Sequence, residues 1–130
     1  MSKILVIDDE ESICETIKIM LEAGGKHEVL VALHAKDGLA LAAAKQPDLI
    51  LLDIVMPDMS GLDVLHLLKS KPRTCLIPVI MLTGVNDPAS IDKAMVDYAE
   101  EYLLKPFERE PLLAAIEHAI THRIRLGKPE

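Results

Sequence analysis

Five polar residues stand where short apolar runs end. Asp8 and Asp9 follow Ile4 to Ile7, Asp53 follows Leu49 to Leu52, Thr83 follows Ile77 to Leu82, and Lys105 follows the run that closes at Leu104. If these runs are parallel strands, all five residues share the carboxyl edge of one sheet, where ligands collect in open α/β folds. Three carboxylates about 5 Å apart would repel by about 3 kcal/mol per pair at an effective dielectric of about 20, so the cluster requires positive charge. Lys105 brings one charge. A hard divalent cation such as Mg2+, which prefers a few carboxylates, a carbonyl and several waters, would bring the rest and leave positions for phosphoryl oxygens. An aspartate in that setting can attack phosphorus and become an acyl phosphate, because a carboxylate is already an ionised nucleophile and needs no general base. Asp53, at the end of a run apolar on both faces, is placed to react. The Thr83 hydroxyl and backbone N–H groups such as that of Gly84 would donate hydrogen bonds, while metal and ammonium offset charge on the equatorial oxygens.

The elements that must hold these residues follow from the apolar spacing. Lys3 to Ile7 predicts a strand, after which Ile13, Ile17, Met20 and Leu21 recur at helical spacing until Gly24-Gly25. His27 to Leu33 predicts a second strand, and Ala35 to Lys45 a small-residue helix that Pro47 ends. After Leu49 to Leu52, Met56-Pro57 opens a tight turn and Ser60 caps a helix whose apolar face is Leu62, Leu65 and Leu68, ending near Lys69 to Pro72. Ile77 to Leu82 is a fourth strand, and Asp87-Pro88 starts a fourth helix carrying Ile91 and Met95. Glu101 to Leu104 is the fifth strand, and Pro111 to about His122 the last helix, with Leu112, Leu113, Ile116, Ala119 and Ile120. Five alternations with short links imply right-handed crossovers and a parallel sheet between two layers of helices. Residues 1–122 read as one domain and 123–130 as a frayed tail or the start of a linker.

Composition narrows the function. Half of the 130 residues are apolar but only Tyr98, Tyr102 and Phe107 are aromatic, so the core is aliphatic, as parallel strands covered by helices require. A net charge of -7 opposes direct binding to nucleic-acid backbones or anionic membranes and favours a cationic partner or metal. Cys14 and Cys75 have no metal or redox spacing and read as packing residues in a reducing cytoplasm. The run Ile4 to Ile7 is too short for a signal peptide, and no run reaches membrane-spanning length. His27, His34, His66, His118 and His122 are scattered and read as structural or surface groups. His122, Arg123, Arg125 and Lys128 read as complementing a helix C-terminus.

Four motifs also resemble a known family. Ile4-Leu-Val-Ile-Asp-Asp-Glu, Pro47-Asp-Leu-Ile-Leu-Leu-Asp-Ile-Val-Met-Pro-Asp-Met-Ser-Gly, Pro78-Val-Ile-Met-Leu-Thr-Gly and Tyr102-Leu-Leu-Lys-Pro-Phe look like the successive motifs of response-regulator receiver domains, in order and at family spacing over about Lys3 to Thr121. The resemblance implies a flavodoxin-like sheet of strand order 2-1-3-4-5, an order for which a member of this family is a standard example. It also implies transfer of a phosphoryl group from a sensor histidine kinase or phosphotransfer protein to Asp53. Mg2+, with Mn2+ as a substitute, would be held by Asp9, Asp53 and the backbone carbonyl of Val55, and Asp8 would act mainly through water. Thr83 would close on the phosphoryl group and Tyr102 swing in behind it, remodelling the surface of the fourth helix, fifth strand and fifth helix. The Lys105-Pro106 bond would be cis, aiming the ammonium at the site. A downstream protein, a fused output domain or a phosphorylation-dependent dimer would read the switch, in the cytoplasm. Val55 and Val85 are apolar where some members carry polar groups that tune hydrolysis, so the phosphoryl lifetime does not transfer. Tyr98 and Leu104 also depart from the common glycine and small polar residue.

Two other functions fit parts of the pattern. A metal-dependent phosphatase using Asp53 as a turnover nucleophile would place a second Asp two residues on, where this chain has Val55; the expectation is a signalling domain rather than a turnover enzyme. A flavin carrier of the same fold class needs a hydroxyl- and glycine-rich phosphate loop after the first strand, where Asp8, Asp9, Glu10 and Glu11 stand.

Overall fold

Apolar runs long enough to be buried on both faces dictate the centre of the molecule. The computed structural model describes residues 2–83, 101–105 and 108–125. Its strands are β1 (Ser2–Ile7), β2 (His27–Ala32), β3 (Leu49–Asp53), β4 (Val79–Thr83) and β5 (Glu101–Leu104). They form one parallel sheet in the order β2-β1-β3-β4-β5. The described helices are α1 (Glu11–Glu22), α2 (Ala35–Lys45), α3 (Gly61–Ser70) and α4 (Arg109–Arg125).

Side-chain alternation along each strand splits the core into two layers. Leu5, Ile7, Ile50, Leu52, Val79 and Met81 pack with Ala35 and Ala42 of α2 and Val64, Leu65 and Leu68 of α3. Ile4, Val6, Leu49, Leu51, Ile80 and Leu82 pack on the other face with Cys14, Ile17 and Leu21 of α1 and Leu112, Ile116 and Ala119 of α4. Each fully buried Leu or Ile contributes about 1.5–3 kcal/mol, so the strand ends above are set on a stiff base. The strand order reverses direction at β1: β2 lies on one side of it, and β3, β4 and β5 on the other. The crevice above β1 and β3 is therefore the switch point at which such sheets bind ligands.

Several element boundaries differ from the sequence expectation. β4 starts at Val79, not Ile77, because Pro78 has no N–H for the ladder, although its carbonyl accepts from Ile50 N–H at 3.0 Å. The buried stripe of α1 is Cys14, Ile17 and Leu21, with Ile13 and Met20 only half-buried. Gln46, in left-handed backbone with φ 49, closes α2 just before Pro47. Ser60 caps α3 as predicted, accepting from Leu62 N–H at 3.2 Å. The last helix runs three residues past the expected end at His122. The helix expected after Asp87-Pro88, with Ile91, Met95 and Tyr98, lies outside the described residues, as does Val85. No described helix is long and apolar enough to cross a membrane.

Candidate functional site

The predicted residues assemble at the carboxyl edge because each is the end of its strand. Ile7 pairs in register with Leu52, Asp53 with Leu82, and Thr83 with Leu104, so Asp8, Asp53, Thr83 and Lys105 stand side by side. Backbone bonds continue the ladder past the strands: Asp8 N–H donates to Ala32 O at 3.1 Å, Ile54 N–H to Leu82 O at 3.0 Å, and Lys105 N–H to Thr83 O at 2.6 Å. Asp8, Asp53 and Thr83 are buried and Asp9 is exposed. Carboxylate oxygens of Asp8, Asp9 and Asp53 lie within 4.8 Å of one another, an all-oxygen set of the kind a hard divalent cation takes.

Lys105 lies at the centre of this cluster. Its Nζ donates to Asp8 Oδ2 at 2.8 Å, Glu10 Oε1 at 3.2 Å and Asp53 Oδ1 at 3.3 Å, which uses all three ammonium protons. Asp8 is further held by Glu10 N–H, which donates to Oδ1 at 2.9 Å, and its carbonyl accepts from the Cys14 thiol at 3.3 Å. The shortest ion pair of Lys105 is thus to Asp8.

Burial and crowding tune the acids. Burial, followed by the charge of Asp8, pushes the Asp53 carboxyl up to about 6, although Lys105 pulls it back. At neutral pH Asp53 is still mostly ionised, and it is a stronger base than a solvated aspartate. Burial works against the charge on Lys105, but the hydrogen bond to Asp8 and the charges of Asp53 and Asp8 win and hold the ammonium above its ordinary range. Burial and then the Asp8 charge push the Cys14 thiol up to about 12, so beneath the site it remains an inert, protonated packing group.

The loop from 54 to 60 carries Val55 beside Asp53. Ile54 and Met56 are buried in the core on either side, and the Val55 side chain between them is 68% exposed. Gly61 closes the loop: its N–H donates to Ile54 O at 2.7 Å, and a Cβ at this position would lie 2.7 Å from Ile54 Cα and on top of the Asp53 carbonyl oxygen. Only glycine permits that approach. Tyr102 pairs in register with Met81 within β5. Gly84 and Pro106, with the expected cis bond after Lys105, lie outside the described residues.

Residues 4–117 match the response regulator receiver domain family. The chain belongs to that family. Among its relatives, protein PilH of Pseudomonas aeruginosa is 37% identical over 116 residues, covering 89% of this chain and 95% of PilH. The DNA-binding dual master transcriptional regulator RpaA of Synechocystis is 36% identical over 126 residues, 97% of this chain but 52% of RpaA. The chain spans about half the length of this and other curated relatives. A response regulator receiver domain protein from Clostridium thermocellum superposes with a TM-score of 0.89 at 39% identity, covering 97% of this chain and 99% of that one. The receiver domain is a phospho-accepting signalling module, and its sheet is of the flavodoxin-like kind.

Sequence reasoning missed two contributors. Glu10 stands in the first motif and in the acidic run that opposes a flavin phosphate, yet it is also the third acid on Lys105, across 95 residues of sequence. Asp58 stands in the sequence only within the motif that ends at Gly61, yet its carboxylate accepts from Ala35 N–H at the start of α2. An acid at the N-cap of α1, directly after the strand-end pair, was the available signal for Glu10.

Proposed function

We propose that this receiver domain takes a phosphoryl group from the phosphohistidine of a sensor kinase or phosphotransfer protein onto Asp53. The observation that carries the reading is the Lys105 ammonium bridging buried Asp8 and Asp53 at the sheet's switch point. An Asp53 carboxylate oxygen forms the new bond to phosphorus as the P–N bond of the donor breaks, and the released imidazole takes a proton from solvent. Lys105 moves its hydrogen bond from the Asp53 carboxylate to a phosphoryl oxygen, and the Thr83 hydroxyl and the Gly84 N–H donate to others. Mg2+, or Mn2+ in its place, would be held by Asp8, Asp9, Asp53 and the carbonyl of Val55, and when bound it supplies the positive charge that the equatorial oxygens need. Asp8, whose Oδ2 already accepts from Lys105, would take part mainly through water, as the family resemblance implies.

The readout is conformational. Closure of Thr83 on the phosphoryl group and inward rotation of Tyr102 would remodel the surface carrying β5 and α4, and the expected cis bond between Lys105 and Pro106 would aim the ammonium. A downstream protein, an output domain beyond this chain, or a second phosphorylated copy reads that face, and nucleic acid and membrane are not contacted by this domain. The domain works in the cytoplasm and turns over no substrate of its own beyond its own phosphorylation and dephosphorylation. The phosphatase alternative finds no support among the relatives, and Val55 stands where its second acid belongs.

Incubation with acetyl phosphate and Mg2+, followed by intact-mass measurement, tests the reading. Wild type is expected to gain one phosphoryl group and Asp53→Asn to gain none. Equal incorporation in the variant would remove Asp53 from the mechanism, and continuous phosphate release from many esters would favour a phosphatase.

A further inference from the structure

The first turn of α2 is capped from a distant part of the chain. His34, which precedes the helix in extended backbone, makes no capping bond with its side chain. Gly38 N–H closes the turn on His34 O at 3.0 Å, which leaves the N–H of buried Ala35 in need of an acceptor. That acceptor is Asp58 Oδ2, at 3.0 Å and 23 residues downstream. A carboxylate there is favoured by the charged hydrogen bond and by the positive end of the helix dipole together.

Asp58 sits three residues after Val55 on the same loop. The near half of that loop is fixed by Ile54 N–H on Leu82 O, by Gly61 N–H on Ile54 O and by the buried Met56 side chain. In the far half, Met59 packs partly against the core, and among the described residues 57–59 make no hydrogen bond to another element besides the one that Asp58 accepts from Ala35 N–H.

Resting on the reading that the Val55 carbonyl completes a divalent-cation site, we infer that Asp58 is a positioning residue for that carbonyl. It pins the far half of the loop to the start of α2 and so limits how far the Val55 oxygen, between fixed Ile54 and Met56, can shift against Asp8, Asp9 and Asp53. Such outer contacts matter because a small, strongly hydrated cation tolerates little displacement of its ligands. The coupling is reciprocal: a cation held at the carbonyl steadies the loop and protects the Asp58 to Ala35 bond.

The test measures Mg2+ affinity by titration calorimetry and hydrogen exchange of the Ala35 amide by NMR, in wild type, Asp58→Ala, Asp58→Asn and Ala40→Gly. Ala40 is exposed in the middle of α2, and glycine there weakens the helix without touching the loop. Asp58→Ala is expected to weaken Mg2+ about tenfold, the low end for the loss of an outer contact. Asp58→Asn, whose amide oxygen still accepts from Ala35, should bind Mg2+ close to wild type, as should Ala40→Gly. Mg2+ should slow exchange at Ala35 in wild type and leave it unchanged in Asp58→Ala. Wild-type affinity in Asp58→Ala, or an equal loss in Ala40→Gly, overturns the inference while the phospho-acceptor reading stands. A wild type that takes up no Mg2+ overturns both.

Discussion

At the carboxyl end of the sheet, Asp8 and Asp53 are buried around the ammonium of Lys105, whereas at the amino end His27, in register with Ser2, is buried with its Nδ1 unpartnered among the described residues. Burial pushes the Asp53 carboxyl up and the His27 imidazole down, against the opposing charge of Glu117 on the latter. Both shifts disfavour charge, as desolvation must. The difference lies in what each end does about it. The carboxyl end keeps its charges and compensates them, which leaves a tense cluster able to accept a cation or a phosphoryl group. The amino end holds its group neutral, where it is only packing.

Removing the compensation should have the largest effect on that contrast. Lys105→Ala leaves three acids without their shared cation, two of them buried, and is expected to cost about 3 kcal/mol of stability at neutral pH without metal. Denaturant unfolding should show the loss shrinking as acid protonates the cluster and partly recovered with Mg2+. A variant as stable as wild type would mean that the ammonium does not hold the acids.

Asp53→Asn should act in the opposite direction. The folded carboxyl titrates at about 6 against an ordinary value of 3.8, so the folded state binds the proton more tightly than the unfolded state. Its contribution is therefore most favourable below pH 3.8 and is lost as pH rises through about 6. Replacing it should stabilise the metal-free protein by about 2 kcal/mol at neutral pH, and by little near pH 4. Unfolding curves at several pH values decide the matter, and a neutral-pH gain of zero would contradict the shift.

The smallest effect belongs to the amino end. His27 titrates below its ordinary 6.5 when folded, so the stability it lends is intact above that value and declines as pH falls. His27→Leu should remove that decline while leaving Mg2+ uptake untouched. The two ends tilt the stability curve in opposite directions between pH 4 and 7, and Asp53→Asn with His27→Leu together should flatten it relative to either variant alone. A slope unchanged in His27→Leu would show that the imidazole protonates freely in the folded protein.

Much of this arrangement was legible in the sequence because the relevant order is linear. An apolar run that ends in Asp, Thr or Lys states both the strand and the edge residue, so the positions of Asp8, Asp53, Thr83 and Lys105 at the edge are written in the sequence. The bounds of α2 were matched because Lys45 is followed by Gln46-Pro47, which can neither extend the helix nor move its end. What could not be read was pairing across the fold. Glu10 and Asp58 look like ordinary acids near a helix start and a turn, and only the approach of Lys105 and of Ala35 gives them partners. The start of β4 differs from the apolar pattern because Ile77 is as apolar and as buried as a strand residue, and the missing N–H of Pro78 decides the ladder instead.

The absent side chain at Gly61 reaches further than local geometry. Because strand β3 and helix α3 touch backbone to backbone there, the connection between them has one permitted length and one permitted closing residue. The Val55 side chain, 68% exposed, is the part of that connector that can be exchanged while the frame around it stays fixed.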